Sequence, residues 1–149
     1  MKKKIFYTDN HWTGLIARVI LGLLMLPHGL QKTFGLFGGY GYNGTMGWLT
    51  QTMHIPSLIA FLVIVAEFVG AVSLIAGFAT RFWSFVMIPL MLGAVLMVHM
   101  PHGLFMNWSG TAGGEGYEYH IAIIALAVIS LVNVAGKFSI DRQIAAIKH

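Results

Sequence analysis

Four long apolar stretches divide the chain, and very few charges interrupt them. They run from about Trp12 to Gln31, Pro56 to Ala79, Phe82 to Met100 and Tyr117 to Ala135. Each is close to the roughly 20 residues a helix needs to cross a hydrocarbon core of about 30 Å. The pattern predicts four membrane spans. Pro27 predicts a kink near the far end of the first. Pro56 suits the first turn of the second, and Pro101 helps to end the third. Gly136 predicts a C-terminal cap after the fourth. The link between the second and third stretches is very short, as in an antiparallel helical hairpin.

The two connections on the other side are long and rich in glycine. They cover residues 32–55 and 101–116. The segment from Gly47 to Met53 predicts a short interfacial helix. Glycine lets backbone pack closely over a site or adopt positive φ. An ordinary flexible connector has the same composition.

Composition sharpens this picture. Charged residues make up 9% of the chain and hydrophobic ones 57%, against about 25% charged in soluble domains. The 149 residues leave room for four spans and little else. The expected fold is all-α, an integral membrane antiparallel four-helix bundle occupying residues 1–149 as a single domain. No soluble enzyme module fits. The absence of cysteine excludes disulfides, thiolate metal sites, iron–sulfur ligation and cysteine nucleophiles.

The net charge of +4 is no sign of a nucleic-acid partner, because the basic residues cluster at span ends. Lys2, Lys3, Lys4, Arg81, Lys137, Arg142 and Lys148 fall on one side, and Lys32, Glu115 and Glu118 on the other. The positive-inside rule then places both termini in the cytoplasm. Tyr40, Tyr42, Trp48, Trp108, Tyr117 and Tyr119 fall on the outer side, as interfacial aromatics. The amino-terminal lysines and apolar run imitate a signal peptide. Arg18 interrupts the run and no small-x-small site closes it, so it reads as a retained first helix.

Ionisable groups at bilayer depth cost about 2.5–3.5 kcal/mol each on insertion scales and need a reason. Arg18 lies in the cytoplasmic half of span 1 and Glu67 near the middle of span 2. Their expected depths differ by about one helical turn, which a long side chain can bridge as a bidentate pair. Such a pair is either a structural clamp or a proton-handling site; otherwise each residue lines a wet cavity. Arg18, Gly22, His28, Gly29 and Lys32 share about a third of the span 1 circumference at roughly 100° per residue. Gly70, Gly77 and Glu67 lie near one another on span 2. Small residues beside polar ones mark helix contacts in membranes, so spans 1 and 2 are expected to meet there.

A second polar group gathers at the outer ends: His28, His99, His102, Glu118 and His120. Imidazole binds metal, shuttles protons or hydrogen-bonds a quinone carbonyl. Met97 and Met100 flank His99 and add thioethers that suit Cu(I). There is no HExxH and no tight ligand set within one segment. A metal or haem at His28, His99, His102 and His120 is therefore less favoured than a set of interfacial imidazoles or a shared polar site.

Several stretches resemble the DoxX family of small bacterial and archaeal membrane proteins. They are Arg18 to Gly22, Pro27 to Lys32, Phe37 to Gly39 with Gly41, Glu67 to Gly70 and Ala76 to Arg81. His99 to Phe105, Gly116 to Tyr119 and Gly136 to Asp141 complete the set. Their order and spacing cover nearly the whole chain. The resemblance implies a four-helix bundle in the plasma membrane and a link with membrane redox complexes, quinol oxidation and thiosulfate:quinone oxidoreduction. Position 102 is often Asn in that pattern and position 120 usually apolar. The resemblance therefore carries over to His28, Lys32, Glu67, His99 and Glu118.

The leading expectation is an accessory or quinone-interacting subunit of a membrane oxidoreductase. With neither a nucleotide-binding loop nor a flavin fingerprint, a quinone would have to supply the redox chemistry. His28 or His99 would bond a quinone carbonyl, with Lys32 and Glu118 as further binding groups. Glu67, with Arg18, would handle the proton. Expected partners are the lipid bilayer, a soluble or membrane redox protein, and further copies of the chain. The alternatives are a small carrier or channel, and a structural or assembly subunit.

Overall fold

The structure, a computed structural model, describes residues 10–146. Lys2, Lys3, Lys4 and Lys148, which entered the expected orientation, lie outside the described residues. Every regular element among the described residues is helical. Helix α1, Trp12–Phe34, runs three residues beyond its expected end at Gln31 and contains Pro27. Helix α2, Gly41–Gly47, continues into a π-helical turn, Trp48–Thr52, so the short helix of the first long loop begins earlier than predicted. Then come α3 at Ser57–Ala76, α4 at Thr80–His102, α5 at Glu118–Asn133 and α6 at Ile140–Ala146.

Helices α1, α3 and α4 are long and apolar enough to cross a membrane. Helix α5 has 16 residues. At 1.5 Å per residue it spans about 24 Å, short of the roughly 30 Å hydrocarbon core. The expected cap on Gly136 is not what ends it. Val134 takes φ 55 at the helix end, and Gly136 packs against the start of α1. A Cβ on Gly136 would lie 2.6 Å from the His11 carbonyl oxygen.

Around the bundle, α1 packs on α3 and α5, and α4 packs on α5 and α3. Leu21, Met25, Ala71, Leu74, Met87, Met91, Ile123 and Ala127 fill the centre. A smaller cluster of Leu49, Ala60 and Ile64 joins the α2 segment to the amino-terminal half of α3. The register of α1 on α3 is set by glycine. A Cβ on Gly22 would lie 2.8 Å from the Ala71 oxygen, and one on Gly29 would lie 2.6 Å from the Glu67 oxygen. The expected small-residue face of α1 therefore meets α3. Gly70 does not belong to that contact, because it faces Met87 and Trp83 of α4.

This register overturns the expected Arg18–Glu67 pair. Arg18 stands opposite Leu74 and Ile75, and Glu67 lies about 10 Å further along the axis. The guanidinium is 1% exposed. Its Nε donates to the Ala135 oxygen at 2.8 Å. One terminal nitrogen donates to Leu74 and Ile75, at 2.9 and 2.5 Å. The other donates to Lys137 and Phe138, at 3.1 and 2.8 Å. Arg18 is thus a clamp, but its partners are backbone carbonyls: two in the last turn of α3, where the helix dipole favours a cation, and three in the link between α5 and α6.

Asp141 seals the same end. Its two carboxylate oxygens accept the Ala79 and Thr80 N–H groups at 2.7 and 2.9 Å, capping α4. Its own N–H donates to the Gly77 oxygen at 2.9 Å. Gly77 ends α3 at φ 71, a left-handed conformation that glycine adopts without strain. Arg18→Lys is expected to lower bundle stability by about 2 kcal/mol. An ammonium cannot reproduce the planar fork, and hydrogen bonds to charged groups contribute about 1.5–3 kcal/mol each. Thermal unfolding in detergent, followed by helicity, checks this.

Candidate functional site

A cavity of about 550 Å³ lies between α3, α4 and the segment that follows α2. That size falls within the roughly 300–1,000 Å³ typical of small-molecule sites. Leu62, Val63 and Ala66 of α3 and Val86, Pro89, Leu90, Gly93 and Met97 of α4 form apolar walls. Trp48, Leu49 and Ile55 close one side. Lys32, Glu67 and His54 bring the polar groups. Ile59, Leu62 and Met97 line the cavity and are also exposed, so it reaches the surface that lipid covers.

Each wall has a local cause. Pro89 removes one backbone donor inside α4, and Gly93, one turn on, presents no side chain to the space. An added Cβ on Gly93 would meet nothing within 4 Å. The α2 segment is held over the cavity by Met53 N–H to the Trp48 oxygen at 3.1 Å and Ile55 N–H to the Leu49 oxygen at 2.9 Å. His54 takes φ 54 in that turn, a conformation that costs a residue with a side chain roughly 1–2 kcal/mol. Glu67 sits inside a π-helical turn of α3, Ala66–Gly70. The extra residue in such a turn rotates the side chains that follow, and π turns recur at functional sites.

The Lys32 ammonium donates to Glu67 Oε1 as an ion pair. Glu67 is 3% exposed, and its Oε2 is buried with no hydrogen-bond partner. The two residues stand 35 positions apart in the chain, and the fold makes them one unit. A neutral pair at the end of an apolar cavity can orient a polar head while the walls hold a hydrophobic body.

The other candidates form a different group. His99 and His120 rings pack 4.1 Å apart between centroids. His28 lies 5.7 Å from the Tyr119 ring, and the Tyr119 hydroxyl donates to the Leu24 oxygen at 3.1 Å. His99 Nδ1 bonds the Glu115 oxygen at 2.8 Å. Glu118 Oε1 accepts the Met106 N–H at 2.9 Å and the Trp108 indole N–H at 3.2 Å, which ties down the loop at 101–116. His102 stacks on Gly114 of that loop. None of His28, His99, His102, Glu118 and His120 lines the cavity. Among the described residues, no three His, Asp or Glu side chains converge as a metal would need.

His54 and Gly93 line the cavity without being candidates in the sequence, and Trp48 lines it as well as being an interfacial aromatic. His54 carried a signal, as a polar side chain at the same outer level as Lys32 and immediately before the second span. Gly93 carries none without the register.

A helical membrane bundle with an apolar cavity between its helices and an ion pair at the edge of that cavity is the class that fold and site define. The DoxX family model matches residues 13–100, and the chain belongs to that family. It is 30% identical over 86 residues to "Putative oxidoreductase CatD" of Bacillus subtilis, covering 58% of this chain and 59% of that protein. It is 25% identical over 132 residues to "Inner membrane protein YphA" of Escherichia coli, covering 87% of this chain and 88% of that protein. No solved structure matches.

Proposed function

We propose that this chain is the quinone-binding membrane subunit of an oxidoreductase system, and that the cavity beside Lys32 and Glu67 is its site. The observation that carries the reading is the cavity itself. A volume of about 550 Å³ with apolar walls and a half-buried Lys32–Glu67 pair suits a ring with a polar edge and a hydrophobic tail. Access from the lipid side suits a ligand that dissolves in the bilayer. A relative whose name describes an oxidoreductase supports the same direction. When bound, the quinone supplies the electron chemistry. The chain's residues orient its head, keep water from the ring, and hold or release a proton at Glu67. Electrons pass to or from a redox partner.

In this reading α5 completes a fourth crossing with its flanking residues. Arg81, Lys137 and Arg142 then face the cytoplasm by the positive-inside rule, in a bacterial or archaeal plasma membrane. The histidine group and Glu118 secure the outer loop and take no part in binding.

Gly93→Leu tests the reading directly. The leucine enters the cavity without meeting other atoms at its Cβ, so melting temperature should hold. Quinone co-purifying with the protein in lipid nanodiscs, extracted and quantified, should fall roughly tenfold or more, the scale of a steric change in an apolar pocket. Wild-type protein that carries no quinone and takes none up from quinone-loaded vesicles would sink the proposal.

A further inference from the structure

A buried acid that handles protons needs a route to water. We infer that the proton of Glu67 is exchanged with the water at the 101–116 loop end of the bundle, through Lys32, His28, His120 and His99, and not at the Arg18 end. This rests on the proposed proton handling at Glu67 and deepens it by giving that handling a side.

The Arg18 end is closed to a proton. Glu67 lies about 10 Å along the axis from the carbonyls that hold Arg18. Leu21, Met25, Ala71, Leu74 and Met87 fill that interval, each at 1% exposure or less. None of them carries a group that titrates. Beyond them stands the Arg18 guanidinium, bonded to five backbone carbonyls. It cannot be deprotonated in a protein. A fixed buried cation repels a passing proton, as arginine does in pores that exclude protons.

The loop end is built from groups that titrate. Lys32 bonds Glu67 and stands one turn beyond His28 on the same face of α1. His28 feels the charges of Glu67, Lys32 and His99. His120 of α5 feels those of His99, His28 and Lys32. Tyr119 of α5 also faces Glu67, but its hydroxyl is spent on the Leu24 oxygen. His120 is 7% exposed, and its Nδ1 is buried with no hydrogen-bond partner. A buried histidine with a purely structural task has its nitrogens satisfied, whereas a relay needs one free. The His120 ring packs 4.1 Å from that of His99, and His99 Nδ1 bonds the Glu115 oxygen in the exposed loop. Imidazole takes a proton at one nitrogen and gives one up at the other. Glu67 thus releases its proton to Lys32 as Lys32 hands one to His28. One proton then leaves His99 for water, and no electron moves along the route.

The experiment follows Glu67 in the full chain without quinone, so the route is read separately from the ligand. Proteoliposomes of one orientation, sorted by a carboxyl-terminal tag and buffered inside, receive a jump in external pH. The signal is the carboxylic-acid infrared band that Glu67→Gln removes. Glu67→Asp, which shifts the band, identifies it if the amide variant does not fold. With the loop end outside, the wild-type band should follow the jump roughly tenfold or more faster than in the opposite orientation. His28→Gln and His99→Gln should each slow it by roughly a hundredfold, the low end for a positioned proton-transfer group. His102→Gln should leave it unchanged, because that ring packs on Gly114 outside the route. Equal rates in both orientations, a faster response from the Arg18 end, or no titrating carboxyl would overturn the inference, and quinone binding in nanodiscs would still stand or fall by itself. One-sided exchange in a protein that binds no quinone would support the route and overturn the quinone site.

Discussion

Gly29→Leu is expected to prevent the bundle from forming. A Cβ at this position would lie 2.6 Å from both the Glu67 oxygen and the Phe68 Cα. Those are backbone atoms, so no rotamer change relieves the clash, and α1 and α3 must separate. Adding methylenes to a packed core costs about 1–3 kcal/mol even where side chains can give way. Here the expected loss is about 4 kcal/mol or more, a size reserved for changes that break a packing interface. Separation would also part Lys32 from Glu67, which this contact brings together. Gly47→Leu is the control, because nothing lies within 4 Å of an added Cβ there. Gel filtration of the two variants in mild detergent should show aggregated or absent protein for the first and a wild-type profile for the second. A monodisperse, wild-type-like Gly29→Leu would mean that the α1–α3 register is wrong.

The second large effect concerns the ion pair. Lys32→Met leaves the Glu67 carboxylate buried without its cation. Breaking a buried pair in this way costs about 3–5 kcal/mol. The Lys32 side chain is 31% exposed, so the lower end, about 3 kcal/mol, is expected once solvent screening is allowed for. The double variant Lys32→Met with Glu67→Leu removes both charges, and such replacements are often neutral or stabilising. It should therefore melt near the wild type while binding neither quinol nor quinone. This pattern separates holding the helices together from binding a ligand. If the double variant retained binding, the pair would not be the polar end of the site. If it were less stable than the single variant, the pair would be a net stabilising element.

The helices were legible because hydropathy over about 20 residues is a strong signal. Trp12, Thr80 and Glu118 lie within two residues of the expected span starts. Azimuth and register were not legible. The Arg18–Glu67 expectation took axial depth from span midpoints, and it failed because the contact register depends on where two glycines meet a neighbouring backbone. Gly22 against Ala71 and Gly29 against Glu67 fix that register, and it moves Glu67 along to Lys32. The π-helical turn at Ala66–Gly70 adds a rotation that a fixed 100° per residue cannot anticipate. Of the histidines that the sequence places at the ends of the spans, His99 and His120 pack ring to ring. Loop donors and carbonyls, which have no sequence signature, then engaged His99 and Glu118. The cavity was invisible in the sequence. It exists because Pro89, Gly93 and the turn before Pro56 leave a space between helices, and no single residue announces that.

The Arg18 clamp has a consequence for how the protein is made. Two of its five acceptors belong to α3, and three belong to the link between α5 and α6. A ribosome delivers Arg18 to the membrane long before it delivers Ala135, Lys137 and Phe138. Through most of synthesis the first helix thus carries a cation that its neighbours cannot yet satisfy, at a depth where that is costly. The nascent bundle stays incomplete until its last helices arrive. The Arg18 guanidinium therefore gains its full set of acceptors, and ties α1 to the end of α3 and to the α5–α6 link, only after residues 135–138 have been made.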